Sequence, residues 1–200
     1  MGQAFPEDTI RKLWPTDLPQ FRAHLLRLDA ASRDSRFAMA VTDGFLERYA
    51  EQSFSPASFA QGVVMFGHFS GGVMRGAAEL RPIGRREAEA AFSVEPICRG
   101  RGVGTSLFER LIVTARNRRL KRLYMSCLAR NRAMQALARK FEAELVFEAA
   151  DVLGIVEGAP PSMASVMGEA VTDAAGYATA ILDLQARWFR LLPRRALPNA

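Results

Sequence analysis

Hydrophobic positions in the first quarter of the chain recur with the period of an α-helix. Spacings of three and four residues predict an amphipathic helix over residues 17–29. Its apolar positions are Leu18, Phe21, Leu25 and Leu28. Thr42, with Asp43, is a suitable N-cap for a second, shorter helix that continues through Gln52. Two helices are therefore predicted ahead of the next change in pattern.

The pattern then changes to short apolar segments separated by glycine-containing turns. The segments are residues 61–69, 73–81 and 87–95, and the sequences SGG and PIGRR lie between them. Glycine favours tight turns because it adopts backbone conformations that are closed to most residues. Three consecutive antiparallel strands are predicted.

From residue 103 onwards, helical and extended patterns alternate. A helical stripe runs to about Arg118, with apolar positions Val103, Leu107, Leu111, Ile112 and Ala115. Residues 122–128 predict a strand. Asn131 is a suitable N-cap for the next helix, whose inner side carries Met134, Leu137, Ala138 and Phe141. With ELVFEA as a last strand, the order of elements predicts an α/β fold whose mixed sheet is antiparallel early and turns parallel across a helical crossover.

The C-terminal segment has its own pattern. GAPPS, residues 158–162, is a stiff, helix-breaking hinge. Beyond it, one stripe at steps of three and four predicts a long amphipathic helix. The stripe consists of Val166, Ala170, Ala174, Tyr177, Ile181, Leu184, Trp188 and Leu191. We expect the stripe to pack on the domain of residues 1–157, with a homodimer interface as the alternative, so residues 158–200 form a hinge and an appended helix.

Composition places the chain among soluble globular proteins. It has 200 residues, of which 49% are hydrophobic and 24% charged. Cys98 and Cys127, its two cysteines, have neither disulfide-framework nor zinc spacing, so no metal is expected. No secretory signal and no apolar run of about 20 residues is present. A cytoplasmic protein with no membrane partner is therefore expected.

Positive charge is concentrated in one stretch. The net charge is +6, and eight basic residues against one acid lie between Arg99 and Arg122. Such a field attracts phosphates, on a nucleotide-like cofactor or on a nucleic acid. Aromatic residues are not interleaved there, which makes nucleic acid the weaker interpretation. A solvated helix face is the alternative for Arg116, Arg118 and Arg119.

Residues 98–112, CRGRGVGTSLFERLI, place alternating glycines in front of a helix. Exposed backbone N–H groups and the partial positive charge of a helix start form an anion site. A P-loop is excluded, because Gly104 is followed by Thr105 and Ser106 with no lysine. A dinucleotide fingerprint is excluded as well, because its third glycine would fall on Thr105 or Leu107.

What remains is Arg99-x-x-Gly102-x-Gly104 between the strand EAEAAFSVE and an apolar-striped helix. This resembles the GNAT superfamily of acetyl-CoA-dependent N-acetyltransferases, whose signature is (Gln/Arg)-x-x-Gly-x-(Gly/Ala) at this junction. The preceding strands, the strand RLKRLYMSCLA and the helix NRAMQALARKF extend the resemblance over about residues 61–150. It implies the GNAT (acyl-CoA N-acyltransferase) fold, a mixed and mostly antiparallel sheet flanked by helices, here with a C-terminal helical extension.

The resemblance also implies acetyl-CoA as cosubstrate and a set of binding residues. The pyrophosphate would be bound by the loop residues Arg99, Gly100, Arg101, Gly102, Val103, Gly104 and Thr105. The pantetheine arm would pair with Phe92, Ser93 and Val94, and the Val94 N–H would polarise the thioester carbonyl. Asn131 would contact the pantetheine or the far end of the cofactor.

Acetyl transfer to an amine requires a base, because the attacking amine must be neutral. In many relatives the base is a Glu on the strand before the loop, and Glu89, ten residues before Arg99, has that spacing. Its alanine neighbours would partly desolvate it, as suits a base. Glu79 is the second catalytic candidate. Either carboxylate could instead face water or pair with an arginine such as Arg75 or Arg81.

The usual general acid of the family is missing. It is a Tyr seven residues after the Asn that opens the last core helix, and here that position is Ala138. Tyr124, Ser126 and Cys127 on the neighbouring strand are substitutes to consider. His24 and His68 show no partner pattern and are interpreted as surface or core residues.

The segments AEAAFSV, RGRGVG and LARNRAMQALARKF are most similar to GNAT domains of bacterial protein-lysine acetyltransferases. The predicted function is therefore acetyl transfer from acetyl-CoA to a primary amine, either protein lysine or a small amine, by direct attack. Its acceptor pocket is expected between the first helices, the 83–86 turn and the C-terminal helix. The alternative, motivated by Ala138, is a non-catalytic CoA-binding sensor or partner-binding module.

Overall fold

A computed structural model describes residues 8–191, without the side chains of residues 188–191. The helices are α1 (Leu18–Leu26), α2 (Ala30–Phe37), α3 (Asp43–Ser53), α4 (Pro56–Ala60), α5 (Val103–Asn117), α6 (Arg132–Lys140) and α7 (Met163–Leu191). The strands are β1 (Asp8–Lys12), β2 (Val64–Ser70), β3 (Val73–Gly84), β4 (Glu87–Val94), β5 (Arg122–Leu128), β6 (Glu144–Glu148) and β7 (Asp151–Glu157). Two short 3₁₀ turns, Pro15–Asp17 and Pro96–Cys98, precede α1 and follow β4.

The seven strands form one mixed sheet in the order β1-β2-β3-β4-β5-β7-β6. Every neighbouring pair is antiparallel except β4 and β5, which run parallel because α5 crosses over between them. The predicted α/β class and the change from antiparallel to parallel pairing are thus confirmed. The predicted caps are present too: the side chains of Thr42 and Asn131 accept hydrogen bonds from the N–H groups of Phe45 and Met134.

Some elements were not predicted from the sequence, namely β1, α2, α4 and β7. α2 reads AASRDSRF and has almost no apolar stripe, so periodicity could not reveal it. Its start is fixed instead by Asp29, whose carboxylate accepts a hydrogen bond from Ser32 N–H at 2.7 Å. β1, with the sequence DTIRK, is a short and charged edge strand, as edge strands in soluble proteins commonly are.

Apolar side chains cover both faces of the sheet. One core cluster packs α5 against alternate residues of β2 to β5, for example Leu107 and Leu111 against Ala78 and Ala88. The second packs α1 and α3 against the opposite face. Since neighbouring residues of a strand point to opposite faces, both clusters draw on the same strands.

β4 and β5 separate shortly after they meet. They pair only where Glu87–Glu89 lie beside Arg122–Tyr124, whereas β3 stays paired with β4 as far as Val94. Glu95 N–H donates to Arg75 O on β3. Because the N–H groups of successive strand residues point to opposite edges, those of Phe92 and Val94 face the opening beside β5. The fold thus leaves one free strand edge inside the sheet.

α7 packs on the domain, as expected, but of the predicted stripe Tyr177 meets Trp14 while most of the other residues stay exposed. The side that faces β1 and α5 carries small and acidic residues, of which Gly176 and Ala180 are buried. Asp173 pairs with Arg110 at 2.9 Å and with Lys12 at 3.3 Å. A Cβ at Gly176 would lie 3.0 Å from the Cβ of Arg11, so the glycine allows this close approach.

The prediction that the apolar stripe of α7 packs on the domain is therefore wrong for most of its residues. Val166, Tyr177 and Ile181 are 45%, 52% and 41% exposed. The physical reason is that the docking surface is polar: α5 and β1 present Arg110, Lys12 and other donors, which select the acidic face of the helix. The side chains of Trp188 and Leu191, also predicted on the stripe, lie outside the described residues.

Candidate functional site

The opening between β4 and β5 is part of a cleft of about 530 Å³. Its walls are the second half of β4, the glycine loop with the start of α5, the end of β5, one side of α6 and the start of α2. From α2 come Ser32, Ser35 and Arg36, and from β5 come Ser126 and Cys127. α2 closes this side of the cleft although its sequence gave no helical signal.

The glycine loop ends in an unblocked helix start. Gly100 and Gly102 have φ values of +71° and +79°, in the left-handed region that favours glycine. Gly102 caps α5, and Ser106 N–H is the first to bond back within the helix, to Gly102 O. The N–H groups just before it, at Val103, Gly104 and Thr105, therefore have no helical acceptor. All three residues line the cleft, which gives it an anion site.

Arg99 connects this loop to the free edge of β4. Its Nε donates to Val94 O at 3.1 Å and its Nη2 to Ser32 Oγ at 2.6 Å. The guanidinium lies at the cleft, where it adds positive charge to the helix start. Arg101, in contrast, is exposed and lies outside the cleft. It differs in this from the other predicted cofactor-binding residues, which all line the cleft.

The remaining basic residues of the stretch serve the fold in part. Arg110 pairs with Asp173 of α7, and Arg118 donates to the carbonyl oxygen of Gly62. Two positive charges of the stretch are thus committed to contacts within the chain. This distribution favours a single phosphate site at the loop over an extended nucleic-acid surface.

α6 presents two different sides. Met134, Leu137 and Lys140 line the cleft beside Asn131. Ala138 points away from it and is buried in the core, 3.4 Å from the position that a Cβ on Gly154 would take. No proton donor therefore enters the cleft from the position where the family usually carries its tyrosine.

Glu89 lies where β4 and β5 part. It is half-buried, lines the cleft and stands beside Arg81 of β3 and Tyr124 of β5 in the register. Ala91 and Ser93 follow on the same face of β4. A carboxylate in this position is open to a substrate or to water in the cleft.

Glu79 has quite different surroundings. It is 2% exposed, lies outside the cleft and accepts hydrogen bonds from Arg36 at 2.6 Å, Arg81 at 2.5 Å and Tyr49 at 2.9 Å. Burial opposes its ionisation, but the charges of Arg36 and Arg81 prevail and hold its pKa below the ordinary value. A carboxylate held in this way is a poor proton acceptor, so the arrangement does not favour Glu79 as a base.

A buried hydrogen-bonded chain that the sequence did not reveal adjoins the cleft. His24 of α1 is fully buried, with its Nε2 2.8 Å from Ser93 Oγ and its Nδ1 3.1 Å from Glu95 Oε1. Glu95 also accepts from Arg27 at 3.0 Å and from Arg75 at 2.7 Å. Ser93 lines the cleft, so the chain runs from the cleft wall into the interior.

The protonation states in this chain follow from its contacts. Burial opposes ionisation of Glu95, but the hydrogen bonds from His24, Arg75 and Arg27 lower its pKa to about 2. Burial lowers the pKa of His24 and Glu95 raises it, and with the added effect of Arg27 and Arg36 the pKa lies below its ordinary value. At neutral pH an ionised Glu95 thus accepts a hydrogen bond from the Nδ1–H group of a neutral imidazole. His24 Nε2 is then an acceptor, and the Ser93 hydroxyl donates to it.

His24 is thus a buried residue, one of the two placements expected for it, but it has polar partners that no sequence pattern showed. Its partners lie 69 and 71 positions later in the chain, and a spacing of that size has no local signature. Sequence patterns could show only that Ser93 and Glu95 flank the predicted oxyanion donor Val94. α1 docking on the sheet brings the imidazole to them.

The other polar groups considered as acids are less well placed. The Tyr124 hydroxyl lies 3.3 Å from Glu87 Oε1 and outside the cleft. Burial raises the pKa of the Cys127 thiol, which keeps it neutral. Ser126 is exposed at the cleft wall. In the part of the chain that the structure describes, no three His, Cys, Asp or Glu side chains are placed to hold a metal ion, and no helix is both long and apolar enough to cross a membrane.

Comparison with known proteins shows which family the chain matches. A model of the acetyltransferase (GNAT) family matches residues 25–142, more than half of the chain. No curated protein matches the chain.

The acceptor region expected at the 83–86 turn and at the C-terminal helix falls outside the residues that line the cleft.

Solved structures resemble the chain over most of its length. The GNAT domain of S. lividans PAT is 21% identical, with a TM-score of 0.63, over 74% of this chain and 89% of that one. The ribosomal-protein-S18-alanine N-acetyltransferase from Escherichia coli is 18% identical, with a TM-score of 0.59, over 78% and 97%. The protein yncA from Salmonella typhimurium, solved with its cofactor acetyl-CoA, is 18% identical, with a TM-score of 0.57, over 78% and 99%. These likenesses confirm the predicted fold.

Proposed function

This chain belongs to the acetyltransferase (GNAT) family, and we propose that it transfers an acetyl group from acetyl-CoA to a primary amine by direct attack. The observation that carries the proposal is the cleft between β4 and β5, which joins a free strand edge to an unblocked helix start. Glu89, or a water that it holds, is the general base.

The cleft fits the parts of acetyl-CoA. The pyrophosphate of acetyl-CoA is anionic, and the N–H groups at Val103 to Thr105, together with Arg99, provide an anion site. Its pantetheine arm carries amides that suit the free edge at Phe92 and Val94. Asn131 keeps its side-chain NH₂ group for the arm, since only its oxygen caps α6. When bound, the cosubstrate supplies an acetyl group activated as a thioester.

Val94 and Glu89 of β4 have different roles in the reaction. The Val94 N–H, which faces the opening, donates a hydrogen bond to the carbonyl oxygen on which negative charge develops during attack. Glu89 lies five residues earlier, roughly 16 Å along a strand. A glutamate side chain does not span that distance, so Glu89 acts through water that takes the proton of the arriving ammonium group.

The acceptor belongs to the class of primary amines, and a protein amine is our preferred form of it. The cleft opens beside α2, where Ser32 and Ser35 offer hydroxyl groups. A protein acceptor draws support from the E. coli neighbour, which is named for acetylating an alanine of ribosomal protein S18. The free, buried cysteines Cys98 and Cys127 suit a cytoplasmic enzyme.

Release of free CoA thiol tests the proposal. Polyamines, amino acids, aminoglycosides and lysine peptides are offered with acetyl-CoA, and the acetylated product is identified by mass spectrometry. We expect acetylation of at least one primary amine. Binding of acetyl-CoA without turnover on any amine would contradict the proposal and favour a non-catalytic CoA-binding module.

A further inference from the structure

We propose that Ser93, His24 and Glu95 form a proton relay, which takes a proton from the attacking nitrogen and delivers it to the departing sulfur of CoA. The relay rests on the proposed function and assigns it a second proton path besides Glu89. It also accounts for acyl transfer without a tyrosine at position 138, where Ala138 is buried in the core.

Position is the first argument for the relay. Ser93 directly precedes Val94, whose N–H faces the opening, and it lines the cleft. Glu89 lies four residues further from Val94 along the strand than Ser93 does. Of the two, Ser93 is therefore the one next to the place where the acetyl carbonyl would bind.

Hydrogen-bond direction is the second argument. Ser93 O–H donates to His24 Nε2 at 2.8 Å, so the oxygen keeps its lone pairs free to accept a proton. Glu95 accepts from His24 Nδ1 and stabilises the imidazolium that forms when Nε2 gains a proton. Serine, histidine and carboxylate in this order are the arrangement that moves protons during acyl transfer in hydrolases.

The proton balance of the reaction gives the relay its task. A primary ammonium loses one proton before attack, which Glu89 and its water take. The nitrogen lone pair then bonds to the acetyl carbon, and the C–S bond breaks with its electron pair on sulfur. The second nitrogen proton passes to Ser93 Oγ as the Ser93 proton passes to His24 Nε2. The reverse transfer protonates the thiolate and restores neutral His24, so atoms and charges balance.

The charged groups around His24 affect its pKa and therefore its protonation state. Glu95 lies after β4, Arg27 follows α1, Arg36 is on α2, and Arg75 of β3 holds Glu95. Burial is the largest influence on the pKa of His24 and lowers it, Glu95 raises it, and Arg27 and Arg36 lower it further. The imidazole is therefore neutral at pH 7, the state that accepts a proton.

Three variants separate the relay from a structural role. Ser93→Ala removes the group at the cleft, and His24→Gln keeps hydrogen bonding but cannot carry a proton. His68→Gln is the matched control, because His68 is also buried but lies on β2 outside the cleft. We expect kcat to fall about 100-fold in the first two variants, with the Kd of acetyl-CoA within about twofold of wild type. The control keeps wild-type kcat.

The pH profile adds a readout that packing alone would not move. Wild-type kcat should fall at acidic pH as His24 gains a proton, and Ser93→Ala should lose this dependence along with its rate. Wild-type turnover together with unchanged kcat and pH profile in Ser93→Ala overturns the relay alone. Absence of wild-type turnover on every amine overturns the proposed function and the relay with it.

Nitrogen-15 NMR of histidine-labelled protein tests the relay without turnover. We expect His24 at pH 7 to carry its proton on Nδ1, and its Nε2 signal to shift in Ser93→Ala. A proton on Nε2 would overturn the relay, because Ser93 could then not pass its proton on. An acetyl group found on Ser93 by mass spectrometry after mixing with acetyl-CoA alone would overturn it in favour of a covalent route.

Discussion

Two glutamates on adjacent strands show how surroundings decide what a side chain can do. Glu89 and Glu79 share one face of the sheet, and Ala91, two residues after Glu89, is the register partner of Glu79. Glu89 lines the cleft, whereas Glu79 is enclosed by Arg36, Arg81 and Tyr49. The first is open to a substrate and the second fastens α2 and α3 to β3.

Matched glutamine variants test this difference. Glu89→Gln should keep acetyl-CoA binding and lower kcat by about 10²-fold or more, because the base is lost. Glu79→Gln should instead lower the free energy of unfolding by about 3 kcal/mol, since two guanidinium groups lose their buried counter-charge. Steady-state kinetics and urea denaturation measure the two effects. Full turnover in Glu89→Gln would contradict its assignment as base.

Glu95 makes stability depend on pH. Its folded-state pKa of about 2 lies below the ordinary 4.5, so its ionised form stabilises the fold above pH 4.5. This contribution is lost as the pH falls from about 4.5 towards 2. Glu95→Gln should therefore lower the Tm at pH 7, and its difference from wild type should narrow across that range. A difference that stays constant down to pH 2 would contradict the assignment.

At the residue scale, local motifs were predictable and distant partners were not. Gly102, Gly104 and Asn131 stand in contiguous patterns whose physical meaning does not depend on the rest of the chain. His24 gains its meaning only from Ser93 and Glu95, which α1 docking brings to it. Contacts between residues so far apart follow from tertiary packing and have no period to detect.

At the scale of elements, the divergence of β4 and β5 and the orientation of α7 matter most. Periodicity predicted the helical crossover that makes β4 and β5 parallel, and it also predicted that α7 is a helix. It gave the wrong buried face for α7, because an apolar stripe indicates burial only where the docking surface is apolar. Here α5 and β1 offer cations, and Asp173 meets Arg110 and Lys12.

Two glycines of α7 test its orientation. Gly168 has open space around it, whereas a side chain at Gly176 would meet Arg11. Gly168→Gln should raise the free energy of unfolding by up to about 1 kcal/mol through helix propensity. Gly176→Gln should lower it, because the larger side chain separates α7 from β1. Urea denaturation compares the two, and an equal gain at both positions would contradict the observed docking face.

At the scale of the whole molecule, the fold makes its site by leaving one sheet incomplete. Each of the strands β1 to β7 is paired, yet the edge of β4 beyond Glu89 stays free because β5 diverges from it. Apart from β7, the order of strands and helices beyond residue 61 was predictable from periods and turns, and it led to the correct fold. α2, which closes the cleft, was not predictable from the sequence. Its residues are polar, and an N-cap and tertiary contacts hold the helix in place.

We propose that this cleft binds acetyl-CoA between the free edge of β4 and the start of α5. The most direct test is the thermal stability of the protein with and without acetyl-CoA. At about 100 times its Kd, the ligand should raise the free energy of unfolding by about 2.7 kcal/mol. Gly104→Leu, which fills the space towards Leu137, should abolish this gain, and Gly168→Leu in α7 should keep it. No stabilisation of the wild-type protein by millimolar acetyl-CoA would contradict binding of acetyl-CoA in this cleft.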